Sequence, residues 1–319
     1  MASVTQEALA EEACYTGTLG ARRSPVLVRS TIMGTARDLI QPDRSGSLVL
    51  DNRPIHWEYF GSGERDVVCL FNGLAMSTES WYRSLPGVLG AFDVLLYDYP
   101  GQGRSSCEDE PYCIPEFCHA LVGILDTLGL AKVHGLGMSY GGFVALDFAR
   151  LHQQRLSSLT LSGILLSHEE SFQLYQELSL RFYRGGALGF ELYTYYLYEK
   201  IFGEAFLRQA KPHLEKMRQR FHDSYKGRVH CLVRLTEAQN PFFAGLDAHL
   251  DEFRAVATPT LVIAGAEDRV ILPRIQRKIC DVLPNSQFEL IEEAGHVAYL
   301  EKPDRFFGLW KRFAIAQTT

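Results

Sequence analysis

The stretch Gly135-Leu136-Gly137-Met138-Ser139-Tyr140-Gly141-Gly142 sets a serine between two glycines, as Gly137-x-Ser139-x-Gly141. A serine hydroxyl is a weak nucleophile until a base takes its proton, so what this spacing offers is presentation. Ser139 stands between a short apolar strand, Ala131-Lys132-Val133-His134, and a segment of helical spacing, Phe143–Arg150. A strained strand-to-helix turn lifts the serine Oγ clear of a sheet and leaves no room for Cβ atoms two residues to either side. The helix that follows points its free N–H groups at the same spot. An oxyanion formed by attack of Ser139 therefore meets the backbone N–H of Tyr140. A dinucleotide-binding turn also uses glycines after a strand. Gly135 and Gly137 would supply its first two, but Tyr140 occupies the place of the third.

The elements needed to hold such a turn recur along the chain. Leu48-Val49-Leu50 and Ile55–Phe60 read as a hairpin turning at Asp51-Asn52. Asp66–Phe71 and Phe92–Tyr97 are almost continuous apolar runs, the mark of strands buried on both faces of a parallel sheet. Between and after them come a helix carrying Trp81, Leu85 and Val88, a second from Phe117 to Leu128, the serine turn with its helix, and a strand at Leu159-Thr160-Leu161. Strand–helix alternation predicts an α/β fold with a mostly parallel central sheet flanked by helices. From about Ser167 to Leu250 the alternation stops, and helices dense in aromatic residues from Phe172 to Phe206 predict an inserted helical cap. The sheet resumes at Thr260–Gly265 and Ser286–Ile291, and an amphipathic helix with Phe306, Phe307, Trp310 and Phe313 follows. The predicted organisation is an N-terminal extension over 1–45 with a short helix at Gln6–Cys14, a sheet domain over 46–166 and 251–319, and the cap over 167–250.

Of the 319 residues, 46% are hydrophobic and 22% charged, an ordinary globular balance, and the net charge of −6 argues against a nucleic-acid partner. No apolar run spans a bilayer, and the acidic, polar start at Met1–Glu12 does not read as a secretory signal. The seven cysteines, Cys14, Cys69, Cys107, Cys113, Cys118, Cys231 and Cys280, are scattered and contain no C-x-x-C pair. They are expected to be reduced thiols in a cytoplasmic protein. Gly101-x-Gly103 lacks the lysine of a phosphate loop, and no histidine–carboxylate spacing suggests a metal, so neither a cofactor nor a metal is expected.

Four motifs in one order resemble the α/β-hydrolase fold superfamily in its cap-bearing form, over about residues 46–319. Asp98-x-Pro100-Gly101-x-Gly103-x-Ser105 is similar to that family's post-strand loop, and Gly137-x-Ser139-x-Gly141 to its nucleophile elbow. Gly265-x-x-Asp268 is similar to its acid loop and Gly295-His296 to its histidine loop. The resemblance implies a catalytic triad of Ser139, Asp268 and His296, in the chain order this fold uses. His296 would take the serine proton, and Asp268 would accept Nδ1–H of His296 and fix its tautomer. Glu267 is a neighbouring acid one residue off the family pattern.

Where most relatives carry His-Gly after the third strand, this chain has Asn72-Gly73. The resemblance puts the second oxyanion donor on the backbone N–H of Leu74, beside that of Tyr140, and substrate contacts at Asn72, Gly73 and Met138. The Asn72-Gly73 loop and Tyr140-Gly141-Gly142 also resemble transacylases of 3-hydroxyacyl chains. The implied activity is hydrolysis of a carboxylic ester or thioester with a lipophilic acyl group, on a small-molecule acyl substrate, free or carrier-bound. Transfer of a 3-hydroxyacyl group to a hydroxyl or thiol, carbon–carbon bond hydrolysis by the same triad, and a non-catalytic ligand-binding role stay open at this point, as does the oligomeric state.

Overall fold

The structure, a computed structural model, describes residues 40–50, 52–108 and 110–318. The expected helix at Gln6–Cys14 and most of the predicted extension lie outside the described residues. Eight strands form one sheet: β1 (Arg44–Leu50), β2 (Arg53–Phe60), β3 (Val67–Phe71), β4 (Asp93–Tyr97), β5 (Val133–Met138), β6 (Leu156–Ser162), β7 (Thr260–Gly265) and β8 (Ser286–Ile291). Their order is β1-β2-β4-β3-β5-β6-β7-β8. β1–β2 and β2–β4 pair antiparallel, and every other neighbouring pair is parallel. β1 begins at Arg44, just inside the stretch read as an extension.

The continuous apolar runs became strands because both faces of the sheet are covered. Along β3, Val67, Cys69 and Phe71 enter one core cluster while Val68 and Leu70 enter the other. The first face is covered by α1 (Ile114–Leu128) and α2 (Tyr140–His152). The second is covered by the C-terminal helix through Phe306, Phe307, Trp310 and Phe313. Phe71 packs edge-on to Tyr97 at 6.0 Å and lies 6.3 Å from Phe148. Truncating such a buried ring to alanine costs roughly 3–5 kcal/mol, so the strand end that leads into Asn72 is firmly anchored.

Two sequence expectations are corrected. The helix expected around Trp81, Leu85 and Val88 is instead two short 3-10 turns, Thr78–Trp81 and Leu85–Gly87. Pro86 supplies no N–H and would clash with the carbonyl of Tyr82 in a continuous helix, and Gly90 sits at φ +96°. The expectation of reduced thiols throughout is also overturned. Cys107 and Cys231 form a disulfide, while Cys69, Cys113, Cys118 and Cys280 are free. The two cysteines are 124 residues apart, but the fold brings their Cα atoms to 6.2 Å.

Seven helices lie between β6 and β7: α3 (Glu170–Arg184), α4 (Gly186–Ile201), α5 (Glu204–Ala210), α6 (Leu214–Tyr225), α7 (Val229–Glu237), α8 (Asn240–Ala244) and α9 (Leu250–Arg254). Tyr183, Phe190, Tyr193, Tyr225 and Leu232 form a third apolar cluster within this insertion, and Leu74 and Ala75 of the loop after β3 pack against it. After β7 come α10 (Pro273–Arg277) and α11 (Ile279–Val282), and after β8 come α12 (Ala298–Glu301) and α13 (Pro303–Ile315).

Candidate active site

Ser139 follows the last residue of β5 and caps α2 with φ 51° and ψ −121°, a left-handed φ that a side chain adopts only under constraint. The flanking glycines permit it by close approach. A Cβ on Gly137 would lie 2.7 Å from the Gly141 carbonyl oxygen, and one on Gly141 would run into the Phe71 carbonyl. Ser139 N–H donates to Ser162 O at 2.8 Å, which ties the turn to β6.

His296 reaches this serine from the loop after β8. Its Nε2 is 2.8 Å from Ser139 Oγ, and its Nδ1 is 2.8 Å from Asp268 Oδ2. His296 is 5% exposed and Asp268 2%, so the pair works largely out of water. An ionised carboxylate only accepts, so Nδ1 carries the proton, and Nε2 is left to accept the serine hydroxyl. Asp268 is held by more than the imidazole. Its Oδ1 accepts the backbone N–H groups of Val270 (2.8 Å) and Ile271 (2.9 Å), and its Oδ2 also accepts Nε2–H of Gln276 at 2.9 Å.

Gln276 is fully buried, gives a second bond to Ile271 O, and accepts Gly163 N–H at 2.9 Å. Gly163 is at φ +68°, and a Cβ there would stand 2.6 Å from His296 Cε1. The glycine thus lets the chain after β6 lie flat against the imidazole. The backbone N–H of His296 donates to Ile201 O at the end of α4. Glu301 accepts the N–H of Gly295 at 3.0 Å and of Gly203 at 2.9 Å. Burial pushes its carboxyl up, the charges of Glu267 and Asp268 add to this, and the two backbone donors oppose it. Glu267 itself turns away from the imidazole and accepts the backbone N–H of Glu204 at 2.6 Å.

The loop Asn72–Met76 lies beside the elbow. A Cβ on Gly73 would be 3.4 Å from Met138 O, one residue before the serine, and Ala75 holds φ +60°. Gly73 O accepts Gln102 Nε2–H at 2.9 Å and Met76 N–H at 3.2 Å. Tyr140 N–H opens α2 and has no carbonyl in a preceding turn to bond. The Tyr140 ring is buried among Tyr99 and Phe117, so only its backbone faces the serine turn.

Two of the residues expected to contact substrate turn their side chains elsewhere. Asn72 is wholly buried. Its Oδ1 accepts Trp81 Nε1–H at 2.8 Å, and its amide nitrogen donates to Tyr97 O at 3.0 Å and Asp98 Oδ1 at 3.3 Å. Its side chain is consumed in holding the loop. Met138 is 2% exposed and packs into the core on the second face of the sheet, because alternation along β5 points it there.

The Asp98–Ser105 motif is explained by the same network. Asp98 is buried, which pushes its carboxyl up, and it accepts the backbone N–H of Thr78 at 2.7 Å and Arg104 at 2.9 Å. Gly103, at φ +47°, is needed because a Cβ would run into that carboxylate. Ser105 Oγ accepts from His56 N and donates to Asp98 O, fastening the loop to β2.

Gln276, Gly163, Gln102 and Glu301 were not singled out in the sequence, and Trp81 only as part of an expected helix. No spacing marks them, since each acts through a partner brought near only by the fold. Among the described residues, one group of three metal-ligating side chains converges, Cys107, His230 and Cys231, and none of them belongs to the Ser139 site.

Residues 66–303 match a family model described as the alpha/beta hydrolase fold. The chain is 27% identical over 265 residues to a 2-hydroxy-6-oxononadienedioate/2-hydroxy-6-oxononatrienedioate hydrolase of Paraburkholderia phymatum, covering 79% of this chain and 88% of that protein. It is 24% identical over 271 residues to 3-oxoadipate enol-lactonase 2 of Acinetobacter baylyi, covering 82% and 92%. Among solved structures, MGS-M2, an alpha/beta hydrolase enzyme from a Medee basin deep-sea metagenome library, superposes with a TM-score of 0.77 at 24% identity, covering 86% of this chain and 98% of that one.

Proposed function

The chain belongs to the α/β-hydrolase fold family, and on that premise we propose that it is a serine hydrolase cleaving a carboxylic ester or thioester with a lipophilic acyl group. The observation that carries this reading is the pair of 2.8 Å contacts joining Ser139 Oγ, His296 and Asp268. In the reaction, Ser139 Oγ attacks the acyl carbon while His296 Nε2 takes its proton. The carbonyl oxygen becomes an oxyanion and accepts the backbone N–H groups of Tyr140 and Leu74. The tetrahedral centre collapses, His296 gives its proton to the departing alcohol or thiol, and the acyl group stays on Ser139. His296 then takes a proton from water, the hydroxide adds to the acyl carbon, and the carboxylic acid leaves as Ser139 regains its proton. Asp268 stays ionised throughout and stabilises the imidazolium.

The hydrolase names of the curated relatives support hydrolysis. The lipophilic acyl group is supported by the apolar cluster of Tyr183, Phe190, Tyr193, Tyr225 and Leu232, which packs against Leu74, the residue assigned the second oxyanion N–H. An acyl chain directed from the carbonyl toward this side would approach a mainly aromatic cluster. Each methylene buried contributes about 0.8 kcal/mol, roughly a fourfold gain in kcat/KM. Among the described residues, no helix is long and apolar enough to cross a membrane.

A series of p-nitrophenyl and thioester substrates from acetyl to dodecanoyl tests the reading. A rise in kcat/KM toward octanoyl or longer is expected, with product formed in water alone. A steady fall from acetyl removes the lipophilic assignment, and product that appears only with an added hydroxyl or thiol acceptor makes the enzyme an acyltransferase.

A further inference from the structure

The disulfide that joins the loop after β4 to α7 has an imidazole beside it. His230 Nε2 is 3.2 Å from Cys107 Sγ and 3.5 Å from Cys231 Sγ. The three groups come from two parts of the chain, and α7 is held over the loop independently of the sulfurs. Arg228 Nη1 donates to Gly103 O at 3.0 Å, and a Cβ on Gly101 would lie 3.4 Å from Leu235. Reduction therefore leaves both thiols and the imidazole facing one another.

We propose that, once reduced, Cys107, Cys231 and His230 bind one soft divalent cation of the Zn2+ class. Zinc–sulfur bonds of about 2.3 Å and zinc–nitrogen bonds of about 2.0 Å at a tetrahedral angle put nitrogen and sulfur about 3.5 Å apart. Nε2 of His230 already stands near that distance from both sulfurs. The sulfurs of a bound cation lie about 3.8 Å apart, and with Cα atoms 6.2 Å apart side-chain rotation suffices to separate them. Two thiolates and an imidazole are a donor set that favours zinc over magnesium or calcium. His230 is exposed and Cys107 half-exposed, so solvent supplies the fourth ligand and the entry path. A dithiol, or a phosphine together with one water and leaving as its oxide, supplies two electrons and two protons to open the disulfide, and the two protons leave again as the thiolates bind the cation. The loop and α7 thus exchange a covalent tie for a coordinated one.

The test uses the full chain, reduced with a phosphine, freed of it without air, and titrated with Co2+. One equivalent should give thiolate-to-cobalt charge-transfer absorption that Zn2+ displaces. The band should be absent from the oxidised protein and from Cys107→Ser, and His230→Ala should weaken binding roughly tenfold or more. Independently of any variant, Zn2+ should protect the half-exposed Cys107 of the reduced wild-type protein from iodoacetamide while leaving the labelling of Cys113 and Cys280 unchanged. No charge-transfer band on the reduced wild type, an equal band in Cys107→Ser, or an unprotected Cys107 would overturn the site.

Discussion

Gln276 donates to Oδ2 of Asp268 at 2.9 Å, the same oxygen that faces Nδ1 of His296 at 2.8 Å. One carboxylate oxygen is thus shared between the base and a buried amide whose carbonyl accepts the N–H of Gly163. Gln276 touches no reacting atom and is a positioning residue. Gln276→Leu removes a hydrogen bond to a charged acceptor, a loss of about 1.5–3 kcal/mol, so kcat should fall roughly 10- to 100-fold with KM little changed. A rise in KM matching the fall in kcat, or a loss of kcat that tracks the fraction unfolded by circular dichroism, would show that Gln276 acts through folding alone.

The two adjacent acids should separate cleanly. Asp268→Asn keeps the shape but presents an amide donor where an acceptor is needed, favouring the wrong tautomer of His296. It should lower kcat by roughly 10²–10⁴-fold. Glu267 accepts the N–H of Glu204 and makes no bond to the imidazole, so Glu267→Gln should retain most activity. Steady-state kinetics on the two variants decide the matter, and the reverse order would move the acid to Glu267.

Asn72 and Trp81 should behave as one unit. Asn72→Leu leaves the Trp81 indole N–H buried and unpaired, a cost of about 1–3 kcal/mol, or a fall in Tm of roughly 1.5–4.5 °C. Trp81→Phe removes the donor from the other side. The double variant should lose less than the sum of the two, because they delete the same 2.8 Å bond. Thermal unfolding of the four proteins measures the coupling, and strict additivity would contradict it.

Much of this was legible because strand ends announce themselves. β3, β4 and β7 are apolar runs bounded by polar turns, and Ser139, Asp268 and His296 each stand in a glycine-marked loop just beyond a strand. What a residue type cannot say is which way it points. Asn72, just after β3, and Met138, the last residue of β5, both stand beside Ser139 in the chain's layout, yet one is spent on Trp81, Tyr97 and Asp98 and the other faces the core. Gln276 lies eight residues beyond Asp268 with no motif to mark it, and only the folding of α10 under β7 brings its amide to the carboxylate. The link between Cys107 and Cys231 crosses 124 residues, so no local pattern could pair them. Pro86 stands inside the apolar spacing of Trp81, Leu85 and Val88 and breaks the helix that this spacing alone suggests.

With Ser139 as the nucleophile and His296 as its base, the mass of the intact protein and of its peptides after incubation with a fluorophosphonate should show a single adduct on the peptide holding Ser139, no adduct in folded Ser139→Ala, and labelling slowed by roughly 10³-fold or more in His296→Ala. An adduct on another residue, or labelling of His296→Ala at the wild-type rate, would contradict that assignment.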